Sequence, residues 1–179
     1  MPTTRCDAVM VHLRPLTRRD HRFCIRLYSS PSLMRLIGPP LPPAQALRNA
    51  LAATSRRSTG PEAARDWIVT AGPGRRRAGL AGWRQRGGEL ELGIILDEPW
   101  QRRGLAVPAM RQLAHRALAQ PQVEALLIRH RVGHAAMAAV ARSLGFVRCE
   151  GADHGDAGEE TQLLMWRLPS PMAACDGVS

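Results

Sequence analysis

The sequence predicts a mixed α/β domain of the α+β type, with a mostly antiparallel sheet, one parallel strand pair and flanking helices. Between residues 66 and 97, three short strands are separated only by glycine-containing turns, a pattern typical of an antiparallel meander. Between residues 89 and 129, a strand, an amphipathic helix and a second strand follow one another, and a helical crossover of this kind joins parallel strands. The 179 residues suit one domain with a sizeable core, which we place at residues 1–168.

The N-terminal part of the chain predicts one strand followed by helices. Alternating apolar and polar residues indicate a strand at residues 11–17. Thr17 and the acidic Asp20 then resemble the first turn of a helix. The remaining elements of this part are one or two helices up to residue 37, a proline-rich break at 38–43 and a short helix at 44–53.

The rest of the chain alternates strands with two helices. In the last strand of the meander, Leu90 and Leu92 share one face, whereas Glu89 and Glu91 share the other. In chain order, the elements are strands at 66–70, 78–84 and 89–97, a helix at 107–119, a strand at 123–129, a helix that ends at Gly145, and strands at 146–150 and 161–168. Residues 169–179 contain few large apolar groups, which predicts a flexible C-terminal tail.

The charge of the chain is strongly positive and consists of arginine alone. All 25 basic residues are arginine, and 15 acidic residues leave a formal net charge of +10, with the excess confined to residues 1–86. Such a charge raises nucleic acid, an anionic membrane or a phosphate-bearing ligand as partners. Aromatic residues make up only 4%, however, so stacking platforms are scarce and nucleic acid is disfavoured. A GC-rich genome is an alternative origin of the arginine bias.

Other classes of protein and of site are excluded by what the sequence lacks. Cys6, Cys24, Cys149 and Cys175 form no closely spaced pair, which argues against a zinc site and a disulfide framework and favours a reducing compartment. No apolar run approaches the roughly 20 residues that span a bilayer, and the N-terminus has no apolar signal core. We therefore expect a cytoplasmic protein with no metal and no membrane partner.

The most informative segment lies between the last meander strand and the following helix, where residues 101–106 read Gln-Arg-Arg-Gly-Leu-Ala. A small-residue turn at a helix start leaves several backbone N–H groups unpaired, and together they form a pocket for a phosphate or pyrophosphate. Gly104 and Ala106 would let the phosphate approach the backbone, and Arg102 and Arg103 add positive charge. The segment matches neither the dinucleotide-binding glycine motif nor the nucleotide P-loop.

The order of elements around this turn resembles that of the GNAT superfamily of acetyl-CoA-dependent N-acetyltransferases. Leu13–Thr17 with Asp20, Glu91–Asp97 and Trp100–Ala106 are similar to segments of its ribosomal-protein N-terminal acetyltransferase branch. Matched motif order extends the resemblance over roughly residues 11–168. The resemblance implies a GNAT-like fold, in which the central parallel strands of a twisted sheet splay apart and acetyl-CoA enters the gap.

The same resemblance implies where the cofactor binds. The pyrophosphate would rest on the backbone of residues 102–106, and the pantetheine would run along the splayed edge at Leu96. A β-bulge in that strand would free a backbone N–H for the acetyl carbonyl, as in an oxyanion hole. The expected cofactor-binding residues are Leu96, Gln101, Arg102, Arg103, Gly104, Leu105, Ala106, His134 and Met137.

The catalytic positions depart from the family pattern. His134 stands where the family commonly has an asparagine that binds pantetheine, Met137 replaces a serine near the CoA sulfur, and Ala141 replaces a proton-donating tyrosine. His134 could donate a proton in their place, and solvent could protonate the leaving thiolate. Glu91 matches a family acid on its strand and is the candidate general base. The alternative is that Glu91 is a solvated or arginine-paired strand residue.

Two functions remain open. The first is an N-acetyltransferase in which a primary amine of a peptide N-terminus, an amino acid or an amine metabolite attacks acetyl-CoA directly. The second, which Met137 and Ala141 keep open, is a catalytically weak or inactive CoA-binding module. Acidic residues crowded between 150 and 160 would form a rim for a cationic acceptor, or simply a solvated turn. We expect a monomer or a homodimer.

Overall fold

The computed structural model describes residues 10–55, 64–120, 122–149 and 163–170. Within these ranges, no helix is both long enough and apolar enough to cross a bilayer. The α-helices of this part are α1 His21–Ser29, α2 Pro31–Met34, α3 Pro43–Ser55, α4 Ala106–Leu118 and α5 Ala135–Ser143. Its strands are β1 Val11–Pro15, β2 Ala64–Ala71, β3 Arg76–Arg86, β4 Glu89–Leu96, β5 Ala125–Arg131, β6 Val147–Arg148 and β7 Leu163–Pro169.

The strands form one sheet with the order β1-β2-β3-β4-β5-β7-β6. Strands β4 and β5 are parallel and are joined through α4, whereas the other neighbouring pairs are antiparallel. The predicted fold class is confirmed: the meander is β2–β4, and the helical crossover places β5 beside β4. This topology puts the carboxyl ends of β4 and β5 at the same edge of the sheet, next to the start of α4.

Apolar side chains on both faces of the sheet form two cores. The first core packs the sheet against α4 and α5 and includes Leu113 of α4. The second packs the opposite face against α1, α2 and α3, and Ile95 of β4 contributes to it. Trp67, Trp83 and Trp166, which lie in strands, are also buried in the first core. Side chains of β4 therefore pack into a core on each face of the sheet, and the strand lies at the centre of the molecule.

Some element boundaries differ from the predicted ones because pairing with distant strands sets them. Strand β5 begins at Ala125 rather than at residue 123, because its pairing with β4 starts at Ala125. Strand β7 continues through Pro169, and the backbone N–H of Ser170 donates to the carbonyl of Glu124 at 2.8 Å. The first two residues of the expected tail are thus held at the sheet, and residues 171–179 lie outside the described residues.

Asp20, in the turn before α1, is completely buried. Arg14 donates hydrogen bonds of 2.8 and 2.7 Å to its two carboxylate oxygens, and Nε of Arg77 lies 3.0 Å from one of them. Thr17 donates to the same carboxylate from its hydroxyl and its backbone N–H. Burial alone would raise the pKa of Asp20, but the hydrogen bonds from Arg14 and Thr17 outweigh burial and hold that pKa well below its usual range. The cluster joins β1, the start of α1 and β3.

Part of the arginine excess in residues 1–86 is structural. Arg14 and Arg77 hold Asp20, and Arg26 of α1 donates hydrogen bonds of 2.8 and 2.7 Å to Asp97 after β4. An open groove of about 640 Å³ beside the β2–β3 turn is lined by six arginines, and these three are among them. Ion pairing inside the protein therefore explains a share of the charge without a partner molecule.

Candidate functional site

The parallel pairing of β4 and β5 covers only the first half of each strand. It runs from Glu89 opposite Ala125 to Leu92 opposite Ile128, and the two strands then separate. Strand β4 keeps its pairing with β3 up to Leu96, and β5 keeps its pairing with β7 along its whole length. The separation is therefore an opening between two intact strands, as the predicted splayed pair requires.

This opening exposes backbone groups on one edge of β4. The N–H and C=O groups of successive residues alternate between the two neighbours of a strand. Because the N–H of Asp97 donates to the carbonyl of Ala78 at 2.9 Å, on the β3 side, the N–H groups of Ile94 and Leu96 point toward β5, beyond the end of the parallel pairing. The register between β3 and β4 is regular along all of β4, so the expected β-bulge is wrong. The departure of β5 frees these groups without one.

Residues 101–105 form an irregular turn between the end of β4 and α4. Arg102 and Gly104 have φ values of +57° and +73°, a left-handed conformation that glycine adopts without strain. The side-chain amide of Gln101 donates to the carbonyl of Leu96 at 2.9 Å and ties the turn to β4. In the part of the chain that the structure describes, no acceptor is recorded for the backbone N–H groups of residues 102–107. The turn thus has the free N–H groups of an anion-binding site.

The side chains of this turn do different things. Leu105 is buried in the first core, so it offers the turn only its backbone. The guanidinium of Arg103 lies over the ring of Trp100, with its carbon 5.5 Å from the ring centroid, and Arg102 is exposed. A Cβ on Gly104 would meet no atom within 4 Å. Backbone conformation, and not crowding by the protein, is therefore the structural reason for glycine at this position.

A cavity of about 360 Å³ occupies the separation between β4 and β5. Residues 91–95 of β4 and 129–131 of β5 line it, together with Tyr28 of α1 and His134 and Met137 at α5. The structure thus brings the predicted residues Glu91, His134 and Met137 to one cavity. The other predicted residues, Leu96 and the turn that follows, lie at the adjoining end of β4.

Glu91 lines this cavity on the face of β4 that points away from the first core. Its Oε2 accepts hydrogen bonds from Nε of Arg86 at 3.1 Å and from Nη2 of Arg129 at 2.9 Å. The arginine-paired arrangement considered for this acid is therefore present. A role of Glu91 as general base stays a prediction. In that role, the carboxylate would have to accept a proton while it is bound to the guanidiniums of Arg86 and Arg129.

His134 and His130 flank the mouth of β5 and differ in their hydrogen bonds. His134 caps α5, because its Nδ1 accepts from the N–H of Met137 at 3.3 Å. Burial lowers the pKa of His134, so near pH 7 the ring is neutral, with its proton on Nε2 and available for donation. Both nitrogens of the buried His130 are engaged, by the indole N–H of Trp166 and the carbonyl of Arg131, each at 2.9 Å. His130 therefore has a packing role.

Two substitutions of His134 measure how much its cap stabilises α5, independently of any contact with the cofactor. We expect His134→Ala to lower the free energy of unfolding by about 1 kcal/mol, because an acceptor for the first turn of α5 is lost. His134→Asn should restore most of this free energy, since asparagine is among the best capping residues. Urea denaturation of the three proteins measures both effects. Equal losses in the two variants would show that the cap contributes little.

The cavity offers a different set of hydrogen-bond donors from the one the family pattern suggests. Ala141 is buried in the first core, and Met137 packs against that core, so neither position supplies a proton. Tyr28, the single tyrosine of the chain, lines the cavity from α1, and burial raises the pKa of its hydroxyl, which keeps its proton. Sequence reasoning missed Tyr28 because nothing in the pattern of α1 relates it to β4 and β5.

Arg129 and Arg131 also line the cavity and are absent from the predicted site. They are two residues apart on β5, so their side chains leave the same face of the sheet, and the contact of Arg129 shows that this is the face of Glu91. The available signal was the placement of two arginines with a period of two at the end of an apolar strand.

Metal and thiol chemistry find little support in the described residues. Those residues contain no group of three or more His, Cys, Asp or Glu side chains that could hold a metal ion. Cys24 and Cys149 are free thiols, and burial raises the pKa of Cys24 to about 12, so its thiolate is not populated near neutral pH. The predicted acidic rim between residues 150 and 160 lies outside the described residues.

A parallel strand pair thus opens beside a turn with free N–H groups, so an unpaired strand edge and a set of anion-binding donors lie next to each other. A family model described as an acetyltransferase (GNAT) domain matches residues 11–147. The chain belongs to this GNAT acetyltransferase family, which confirms the predicted resemblance. No curated protein matches the sequence significantly.

Solved structures share the fold over nearly the whole chain. The spermidine N-acetyltransferase of Vibrio cholerae, solved with CoA and spermine, has a TM-score of 0.74 and 17% identity and covers 89% of this chain and 95% of its own. An acetyltransferase of Agrobacterium tumefaciens has a TM-score of 0.73 and 22% identity, with 94% of each chain covered. An acetyltransferase of Salmonella typhimurium that modifies the N-terminal serine of ribosomal protein L7/L12 has a TM-score of 0.71 and 16% identity, with 89% and 94% covered. At these identities the comparison establishes the fold.

Proposed function

We propose that this protein transfers the acetyl group of acetyl-CoA to a primary amine by direct attack of the amine on the thioester. The observation that carries the proposal is the opening of β4 and β5 beside the turn at residues 101–105, within a chain of the GNAT acetyltransferase family. The acceptor is a peptide N-terminus, an amino acid or an amine metabolite. The acetyl group moves from sulfur to nitrogen, CoA leaves as the thiolate, and the amine loses one proton.

The geometry supports one placement of the cofactor. The N–H groups of residues 102–106 bind the pyrophosphate, and Gln101 holds the turn against Leu96. The pantetheine extends along the free edge of β4, where the N–H of Ile94 is in position to donate to a carbonyl of the ligand. Met137 and the Nε2–H of His134 face the pantetheine from the opposite side of the cavity.

Glu91 is the proposed base, and two neutral donors lie in the same cavity. The carboxylate would accept the proton that the amine loses, directly or through water. His134 and Tyr28 both carry a proton near neutral pH, so either can donate a hydrogen bond to the departing thiolate, which solvent then protonates. A CoA thiolate also leaves readily without a donor, since an ordinary thiol has a pKa of about 8.5. Orientation of the amine against the thioester then contributes most of the rate gain.

The test uses free thiol release from acetyl-CoA in the presence of a pool of amines. We expect Glu91→Gln to reduce turnover by about 100-fold or more while CoA affinity is unchanged, because a positioned base typically contributes 10²–10⁴ in rate. Glu89→Gln is the matched control, since Glu89 lies on the same face of β4 and is bound to Arg167 at 2.7 Å. Unchanged turnover in the Glu91 variant would remove this residue from the mechanism.

A CoA-binding module without catalysis is the second candidate, and the placement of Ala141 in the core favours it. The family tyrosine has no equivalent on α5, and Glu91 is engaged by two arginines. Tight CoA binding without thiol release from any amine in the pool would select this candidate over the enzyme.

A further inference from the structure

Two arginines that line the cavity each have a buried nitrogen that lacks a partner. Within the described residues, the buried side-chain nitrogens without a hydrogen bond are Nε of Arg129 and Nε of Arg131. Both residues line the cavity between β4 and β5 and leave the same face of β5. A buried donor without an acceptor is costly, so native proteins rarely keep one unless a water or a ligand supplies the acceptor.

The charges around the cavity leave a cation uncompensated. The acids that line it, Asp66 and Glu91, are each already bound to a guanidinium, Asp66 to that of Arg84 at 3.3 Å and Glu91 to that of Arg129 at 2.9 Å. No carboxylate among the described residues contacts the guanidinium of Arg131. The described lining thus has more arginines than acids, which disfavours a polycationic acceptor such as a polyamine.

We propose that the acceptor is a small amine that also carries a carboxylate, the chemistry of an amino acid, and that Arg131 binds this carboxylate. This proposal rests on the proposed function and specifies its substrate class. A guanidinium presents donors in a planar fork that matches a carboxylate, and inside a cavity such a pair is strong. Arg129 stays bound to Glu91 through Nη2 and offers its Nε–H as a second donor on the same face.

The arrangement also explains how one cavity can orient a small acceptor. The carboxylate is fixed at Arg131, beyond the end of the parallel pairing. The amine of the same molecule then points along the cavity toward Glu91 and the free edge of β4. Because the two ends of the acceptor are held by different groups, loss of Arg131 should weaken acceptor binding much more than it lowers the rate of acetyl transfer in the bound complex.

The experiment compares matched pairs of acceptors that differ only in whether they carry the carboxylate. Thiol release is measured for a panel of amino acids and for the corresponding carboxamides, with wild type, Arg131→Gln and the control Arg48→Gln, whose side chain is exposed on α3. We expect wild type to favour the acids by about 10- to 100-fold in kcat/KM, mainly through KM, because hydrogen bonds to a charged group contribute that much. Arg131→Gln should abolish this preference, and Arg48→Gln should keep it.

A binding measurement keeps the proposal testable without turnover. Ligand-observed NMR in the presence of CoA compares N-acetyl amino acids with their carboxamides, which are the products of the same pairs. Preferential binding of the acids that disappears in Arg131→Gln supports the proposal even if no thiol is released, in which case only the proposed catalysis fails. Equal binding and equal turnover of acids and carboxamides, or turnover of polyamines in preference to both, would overturn it.

Discussion

Gly104→Glu is expected to weaken CoA binding by at least about 100-fold, because the substitution removes several charge-assisted hydrogen bonds at once. The new carboxylate would stand where the backbone N–H groups of residues 102–106 receive a phosphate, and like charges repel. The φ of +73° at this position adds backbone strain for any residue with a Cβ. Calorimetric titration with CoA measures the affinity directly.

Gly87→Glu provides the matched control for this change. Gly87 lies in the β3–β4 turn with a φ of +60°, and a Cβ there would also meet no atom within 4 Å. The two substitutions therefore introduce the same side chain with similar backbone strain, but only one does so at the proposed phosphate site. If both variants bound CoA with the affinity of the wild type, the assignment of the turn at residues 101–105 would be wrong.

Asp20→Asn is expected to lower the free energy of unfolding by about 1–3 kcal/mol, because a completely buried side chain loses its charge while the arginines that bind it are partly exposed. One carboxylate oxygen becomes an NH2 group, so either the contacts of Arg14 and Arg77 with Oδ1 or those of Arg14 and Thr17 with Oδ2 are lost. Asp97→Asn is the control, because Asp97 contacts only the half-exposed Arg26 among the described side chains, and a clearly smaller loss is expected. Urea denaturation at pH 7 compares the three proteins.

The same carboxylate makes stability depend on pH with a definite sign. The pKa of Asp20 is held below its unfolded value of about 3.9, so its stabilisation is fully present above that pH and is lost as the pH falls further. The difference in free energy of unfolding between wild type and Asp20→Asn should therefore shrink from pH 7 toward pH 3 and below. A difference that stayed constant over this range would show that Asp20 is not ionised in the native protein.

Local patterns in the sequence were enough to predict the elements that a few neighbouring residues determine. The alternation of Leu90 and Leu92 with the glutamates between them places β4 in the sheet with its faces assigned. The turn at residues 101–106 was found because a small-residue segment between an apolar strand and an amphipathic helix predicts unpaired N–H groups at the helix start. Its positive φ at Gly104 agrees with that interpretation.

Properties that depend on distant residues could not be predicted in this way. The contact of Glu91 with Arg129 joins positions 38 residues apart, and local spacing carries no information about it. The burial of Asp20 also requires Arg77, which arrives from β3 only when the sheet has formed. The expected bulge in β4 was inferred from resemblance, and the departure of β5 made it unnecessary. The sequence therefore predicts the backbone elements of the site well, but it predicts the contacts of the charged side chains poorly.

The short parallel pairing of β4 and β5 has a consequence for the whole molecule. Four residue pairs connect a four-stranded half of the sheet to a three-stranded half, and α4 bridges the two by packing on strands of both. A cofactor lying along β4 would fill the position of a missing strand and fasten the halves to each other. Since a ligand that binds only the native state adds to its stability by mass action, the supply of cofactor would raise the free energy of unfolding of the whole sheet as well as the rate of turnover.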